Sequence, residues 1–304
     1  MLRENRTDQD YIRAAKVEIE EWESQSPGFL NHLGDFMLRP IQGAAKALIP
    51  ARVQDAVAKA IHKLLSGLNS AARLVNNDKR IRRRVEEASN KYNDELRAAD
   101  EVARHYWKRN VAGGMGEGGA TGALGLVGLV ADIPALLTIS LRLVQQIGIC
   151  YGYDVKSYEE QEYIMHVLRI GSTSSLKAKM EFLVGLKHIE QIMLKVSWNK
   201  VSEDLARKEI GRYSILAAMR QFAQMLGIQL TRRKALQLVP VIGALTGASL
   251  NAVYINDVGR TAFMLYRRRR IAELEGPKST LPDPVNSNEP TEHSQRAGAH
   301  FPAV

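Results

Sequence analysis

Two stretches of this chain carry glycine and aliphatic residues with almost no charge, and any fold must house both. The first, Gly119–Leu136 (GATGALGLVGLVADIPAL), has four glycines in eighteen residues and one acid, Asp132. The second, Ala235–Ile255 (ALQLVPVIGALTGASLNAVYI), has no charged residue. Gly118, just before the first, Gly122, Gly125 and Gly128 within it, and Gly243 and Gly247 in the second, punctuate helix-length segments; Gly114, Gly118 and Gly122, and Gly243 and Gly247, stand four apart, the spacing that lets backbones approach closely. That leaves two uses for them: contact with a membrane, or tight packing in a soluble helical core. Phosphate binding is disfavoured, because no lysine follows the glycines as a phosphate-cradling loop requires.

Asp132 argues against a simple membrane span, since a charge at mid-bilayer is costly. The run Asp132-Ile133-Pro134 reads as a helix start, with Asp132 as cap and Pro134 in the first turn. The expectation is a first helix to about Val130 and a second from Ile133 to Ile147, closed by Gly148. About 15 residues reach only about 22 Å, short of a hydrocarbon core of about 30 Å. A buried soluble hairpin is favoured over membrane insertion or docking.

Elsewhere strand-like alternation is rare and 3.6-residue periodicity recurs, which predicts an all-α protein. A charged helix is expected over about 8–23. Beyond Pro50, Val53, Val57, Ile61 and Leu64 share one face. A single long charged helix is expected from Asp78 to Arg109. Ser157 with Glu160 forms a capping box, and Ser202 is an N-cap followed by acids. "GSTSS" (171–175) reads as a loop. After Gly276 the chain is rich in Pro, Ser and Asn, too poor in aliphatics to order itself. The domain plan is therefore a multi-helix bundle over 1–275, with two glycine-rich apolar hairpins and a disordered tail over 276–304.

Charge bears on partners. Lys and Arg number 42 against 33 Asp and Glu, a net +9, which favours an acidic partner. Basic runs stand at Lys79–Arg84 (KRIRRR), Arg232, Arg233 and Lys234, and Arg267, Arg268, Arg269 and Arg270. The last two flank the uncharged second segment, an arrangement suited to an anionic membrane surface. Nucleic acid is the disfavoured partner, because no recognition motif accompanies the charge. The N-terminus shows no apolar signal region. A cytoplasmic chain, peripheral at the inner face of the membrane, is expected.

Candidate polar sites are sparse. Asp132, Arg142, Asp154 and Asn251 are polar residues in or beside apolar segments, and a pocket among them would be the place for an unrecognised enzyme activity. Caps and structural pairs are the favoured use. Seven histidines form no zinc motif, and the single cysteine, Cys150, has no base near it in sequence. No metal and no cofactor is expected.

At "GGATGALGLVGLVADIPALLTISLRLVQQIGICYGYD" (Gly118–Asp154), "ALQLVPVIGALTGASLNAVYINDVGRTAFMLYRRRRI" (Ala235–Ile271) and "PARVQDAVAKAIHKLLSGL" (Pro50–Leu68), the chain resembles the EcsC family over about residues 8–272. The resemblance implies an accessory of a membrane complex, coupled to an ABC transporter or protein secretion, and supplies no catalytic set. The sequence thus points first to a non-enzymatic, membrane-associated helical protein; an enzyme with a polar pocket near Asp132, Arg142 and Asp154, or a soluble scaffold, are the alternatives.

Overall fold

The computed structural model describes residues 2–26, 51–66, 78–121, 125–173, 175–197, 202–215, 217–235 and 240–276; within these, the side chains of 2–8, 51, 54, 65–66, 115–131, 229 and 232–250 are not described. Among the described residues the protein is all-α, with ten helices and no strand. They are α1 (Leu2–Ser24), α2 (Ala51–Ser66), α3 (Asp78–Tyr92), α4 (Glu95–Thr121), α5 (Gly125–Cys150), α6 (Tyr158–Ser172), α7 (Leu176–Ser197), α8 (Glu203–Gly211), α9 (Met219–Ala235) and α10 (Pro240–Glu275). The tail expected from 276 onward lies, beyond Gly276, outside the described residues, as do Gly122 and the surroundings of Gly118, Gly125, Gly128, Gly243 and Gly247.

Amphipathic stripes place the outer helices. Ala15, Ile19 and Trp22 of α1 are buried at helical spacing, as are Val57 and Ile61 of α2 and Leu183, Leu186, Ile189 and Met193 of α7. Helix α10 differs, because its middle is buried on nearly every side. From Val258 through Arg267 each residue is buried apart from the half-buried Arg260, so α10 is the axis around which α1, α4, α5, α6 and α7 pack.

Glycines let three neighbours close on that axis. A Cβ on Gly259 of α10 would stand 2.5 Å from Trp107 of α4; one on Gly171 of α6, 2.9 Å from the Val258 backbone; one on Gly148 of α5, 2.9 Å from the Tyr266 ring. Helix α4 runs antiparallel to α10, with Arg270 on Glu95 at one end and Ile255 on Gly114 toward the other. The glycine-bearing ends of both helices therefore extend the same way.

Four local expectations are corrected. The single helix predicted over Asp78–Arg109 is two. Asn93, at φ 52°, ends α3 in the left-handed region, and Asp94 caps α4 by accepting from the Arg97 N–H at 3.0 Å. The helix break expected at Asp132 is absent, because α5 runs through Asp132 and Pro134 unbroken. Its stop is Gly152, not Gly148: with φ +94°, it donates to Ile149 O at 3.0 Å while Tyr153 donates to Gly148 O at 3.1 Å, a Schellman closure. Ser157 caps α6 by accepting from the Glu160 N–H at 3.2 Å, yet the Glu160 carboxylate turns into the core instead of completing the box. Ser202 caps α8 as predicted.

Among the described residues, Asp132–Cys150 is long and apolar enough to cross a membrane, and 72% of it is buried inside the fold, as a core helix would be. Replacing Gly148 with alanine tests this packing. Alanine ordinarily gains about 1 kcal/mol over glycine in a helix, but here its methyl meets a Tyr266 ring locked by a hydrogen bond to Glu160. The expected result is a net loss of about 1–3 kcal/mol, read from urea unfolding; an unchanged or raised midpoint would contradict the close approach.

Candidate functional site

The densest polar chemistry lies where α10 carries four consecutive arginines. Successive helical residues are rotated by about 100°, so four in a row cannot share one surface. Each points at a different neighbour, and each meets a carboxylate.

Arg267 of α10 is 2% exposed. Its Nη1 donates to Glu18 at 2.6 Å, and its Nε sits 2.7 Å from Asp100 Oδ2, off the line of a hydrogen bond. Asp100 also accepts from the Tyr11 and Tyr151 hydroxyls, both at 2.6 Å. Arg268 pairs with Glu23 and donates to Glu190 at 2.7 Å, which accepts from Tyr163 at 2.7 Å. Arg269 is 6% exposed; it donates to Glu160 at 2.7 Å and lies 3.8 Å from the Tyr153 ring centre. Glu160 accepts from Tyr266 at 2.6 Å. Arg270, nearer the surface, donates to Glu95 at 2.8 Å and to Glu273 at 3.4 Å. Burial and the adjacent carboxylates push the phenols of Tyr151, Tyr163 and Tyr266 well above the usual range, so they stay protonated as donors. Burial also pushes the Asp100 carboxyl up, against the pull of Arg267 and the two phenols.

The expectation that Arg267, Arg268, Arg269 and Arg270 hold an anionic surface is therefore corrected. Arg267 and Arg269 are interior, Arg268 nearly so, and all four are matched with this chain's own acids. An isolated guanidinium in that interior would be prohibitive, and pairing is what permits the burial. The side chains of Arg232, Arg233 and Lys234 lie outside the described residues.

The four polar candidates do not assemble into a pocket. Asp132 and Arg142 lie ten residues apart on α5, about 15 Å along its axis, and Arg142 is exposed. Asp154 stands beyond the end of α5, exposed, accepting from the Lys156 N–H at 3.1 Å in a turn. Asn251 is buried on α10, with its Oδ1 accepting no hydrogen bond from the described residues. A cavity of about 340 Å³ beside Arg82, Glu86, Cys150 and Arg270 includes none of the four. Cys150 borders it, but burial pushes its thiol far up, the opposite of an activated nucleophile. Among the described residues no three His, Cys, Asp or Glu converge as a metal site requires.

A different basic surface emerges on the α3–α4 hairpin. Ile81 is buried, with Val85 and Ala88 packed beside it, so Lys79, Arg80 and Arg83 face solvent. Arg84 lies 5.8 Å over the Tyr106 ring of α4, which brings this end of α3 alongside the exposed His105, Lys108 and Arg109. Lys79, Arg80, Lys108 and Arg109 have no carboxylate partner among the described residues. Sequence reasoning missed Asp100 and Glu190 and gave Glu160 only a capping role; the one visible signal was acids set inside otherwise apolar helical stripes.

A double-mutant cycle tests the arginine network. Arg269→Met leaves Glu160 buried without its cation and is expected to cost about 3–5 kcal/mol. Adding Glu160→Leu should recover part of that loss, a coupling of at least about 1.5 kcal/mol by chemical denaturation; simply additive losses would contradict the pairing.

Comparison with known proteins agrees in extent with the helical core. The chain is 29% identical over 267 residues to the uncharacterized protein YdbA of Bacillus subtilis (strain 168), covering 84% of this chain and 91% of that one. It is 22% identical over 236 residues to protein EcsC of the same organism, covering 78% and 86%. No solved structure matches. The EcsC protein family matches residues 13–271, from α1 to the end of the arginine run on α10, and the chain belongs to that family.

Proposed function

We propose that this protein is a non-enzymatic accessory that docks on an anionic membrane face and serves a membrane complex there. The observation that carries this reading is the exposed basic surface of Lys79, Arg80, Lys108 and Arg109, which meets no carboxylate among the described residues. It sits at the end of the α3–α4 hairpin from which α4 runs on toward Gly118 and into the glycine-rich segment. Electrostatics would hold this end at the lipid, each basic side chain near the surface contributing about 1 kcal/mol. The glycine-bearing ends of α4, α5 and α10 would lie nearest the bilayer. Coupling to an ABC transporter or to secretion, at the cytoplasmic face, is the client that family membership favours.

The burial of most of Asp132–Cys150 favours a second reading, a scaffold that stays in solution. Flotation with phosphatidylglycerol vesicles separates the two. The wild type should float at low salt and be released by high salt. The variant Lys79→Glu/Arg80→Glu/Lys108→Glu/Arg109→Glu should lose at least about a hundredfold in vesicle affinity, since four contributions of about 1 kcal/mol are removed. Flotation that the variant leaves unchanged would overturn the docking surface, and no flotation of the wild type would favour the scaffold.

A further inference from the structure

Between the end of α1, the end of α6, the start of α7 and the middle of α10 lies a cavity of about 220 Å³. Its most unusual wall is Lys179, only 3% exposed. The Nζ donates to Gln25 O at 3.0 Å and to Trp22 O, and lies 4.1 Å from the Trp22 ring centre. Both hydrogen-bond partners are neutral carbonyls at the end of α1. Two of the three ammonium protons meet these carbonyls and the Trp22 ring face stands beside the charge, yet no carboxylate among the described residues forms an ion pair with it.

Arg260 of α10 lines the same cavity and donates to the Gln25 side chain at 2.9 Å. The Asn256 amide adds a further polar group. Charged groups around Lys179 are few. On α1, Glu23 is engaged by Arg268 and Lys187, which hold its carboxyl below the usual range. On α10 stand Arg260 and Asp257; α6 contributes the uncharged Ile170 and Gly171. Two cations thus face a small cavity against one acid of its own wall. The volume lies below the roughly 300–1,000 Å³ of pockets for larger ligands.

We propose that this cavity binds a small phosphate-type oxyanion, with Lys179 supplying a buried point charge and Arg260 a guanidinium donor. The source is either free phosphate or the phosphate of a lipid headgroup. This site is apart from the basic face of α3–α4 and does not depend on membrane docking. The α1 carbonyls and the Trp22 ring orient the Lys179 ammonium; the anion supplies the counter-charge that these neutral partners lack and accounts for the adjacent Arg260.

The amine should also make binding pH-sensitive. Burial and the nearby Arg260 charge bring Lys179 down to about 8. Only the protonated amine attracts an anion, so affinity should fall about tenfold between pH 7 and pH 9. Sulfate is the probe for that series, because its own charge is constant there.

Calorimetric titration of the full chain with inorganic phosphate, and separately with dihexanoyl phosphatidylglycerol, tests the site. Saturable binding is expected, weakened at least tenfold by Arg260→Gln and by Lys179→Met. Arg260 is half-exposed, so its variant keeps the test valid if Lys179→Met fails to fold. Tighter binding of the soluble lipid, dependent on Arg260, assigns a headgroup; equal binding assigns free phosphate. No binding of either probe at millimolar concentration, or binding that Arg260→Gln leaves intact, would overturn the proposal.

Discussion

Four guanidinium groups in succession on a buried helix set the terms for the rest of this fold. Each must be met by a carboxylate, and the helix directs them to different sides. Acids consequently come from α1 (Glu18 and Glu23), α4 (Glu95 and Asp100), α6 (Glu160) and α7 (Glu190). A shift of any one of these helices by a turn would strand a buried charge. The network therefore does more to fix register than to add net stability, since buried ion pairs recover little beyond their desolvation cost. Tyr11, Tyr151, Tyr163 and Tyr266 complete it by donating to the remaining carboxylate oxygens.

Glycine works with that network. Gly148, Gly171 and Gly259 allow α5, α6 and α4 to approach α10 closely, and α4 and α6 bring acids of the network with them. Small residues and charges are thus two parts of one requirement, a central helix gripped from all sides. The same logic is available to the glycines on the remote ends of α4, α5 and α10.

Much of the helical plan was legible in the chain, and the reason is local. The stripes of α1, α2 and α7 repeat at 3.6 residues, and Ser157 and Ser202 announce their helices through side-chain capping. What was not legible depended on distant partners. Asp132-Ile133-Pro134 has the local chemistry of a helix start, but burial of Ile133, Leu136 and Leu137 carries α5 through it. Asn93 and Asp94 break a charged helix without any glycine or proline to mark the turn. The arginine run is the largest such case. As a string it looks like a surface patch, and only the acids of four other helices make it interior. The polar pocket offered as an alternative use of Asp132, Arg142 and Asp154 was beyond the string for the same reason, since isolation among apolar neighbours does not bring residues together in space.

With the arginine run turned inward, the exposed positive charge shifts to the α3–α4 hairpin, and the question of partner shifts with it. The interior placement of the run is the central claim, and residue-resolved modification of the native protein by phenylglyoxal, read by mass spectrometry, tests it most directly. Arg267 and Arg269 should be protected under conditions that modify Arg80, Arg83 and Arg109, and should become reactive only on unfolding. Modification of Arg267 and Arg269 in the native protein at the rate of Arg80 and Arg83 would contradict the account and return the run to the surface.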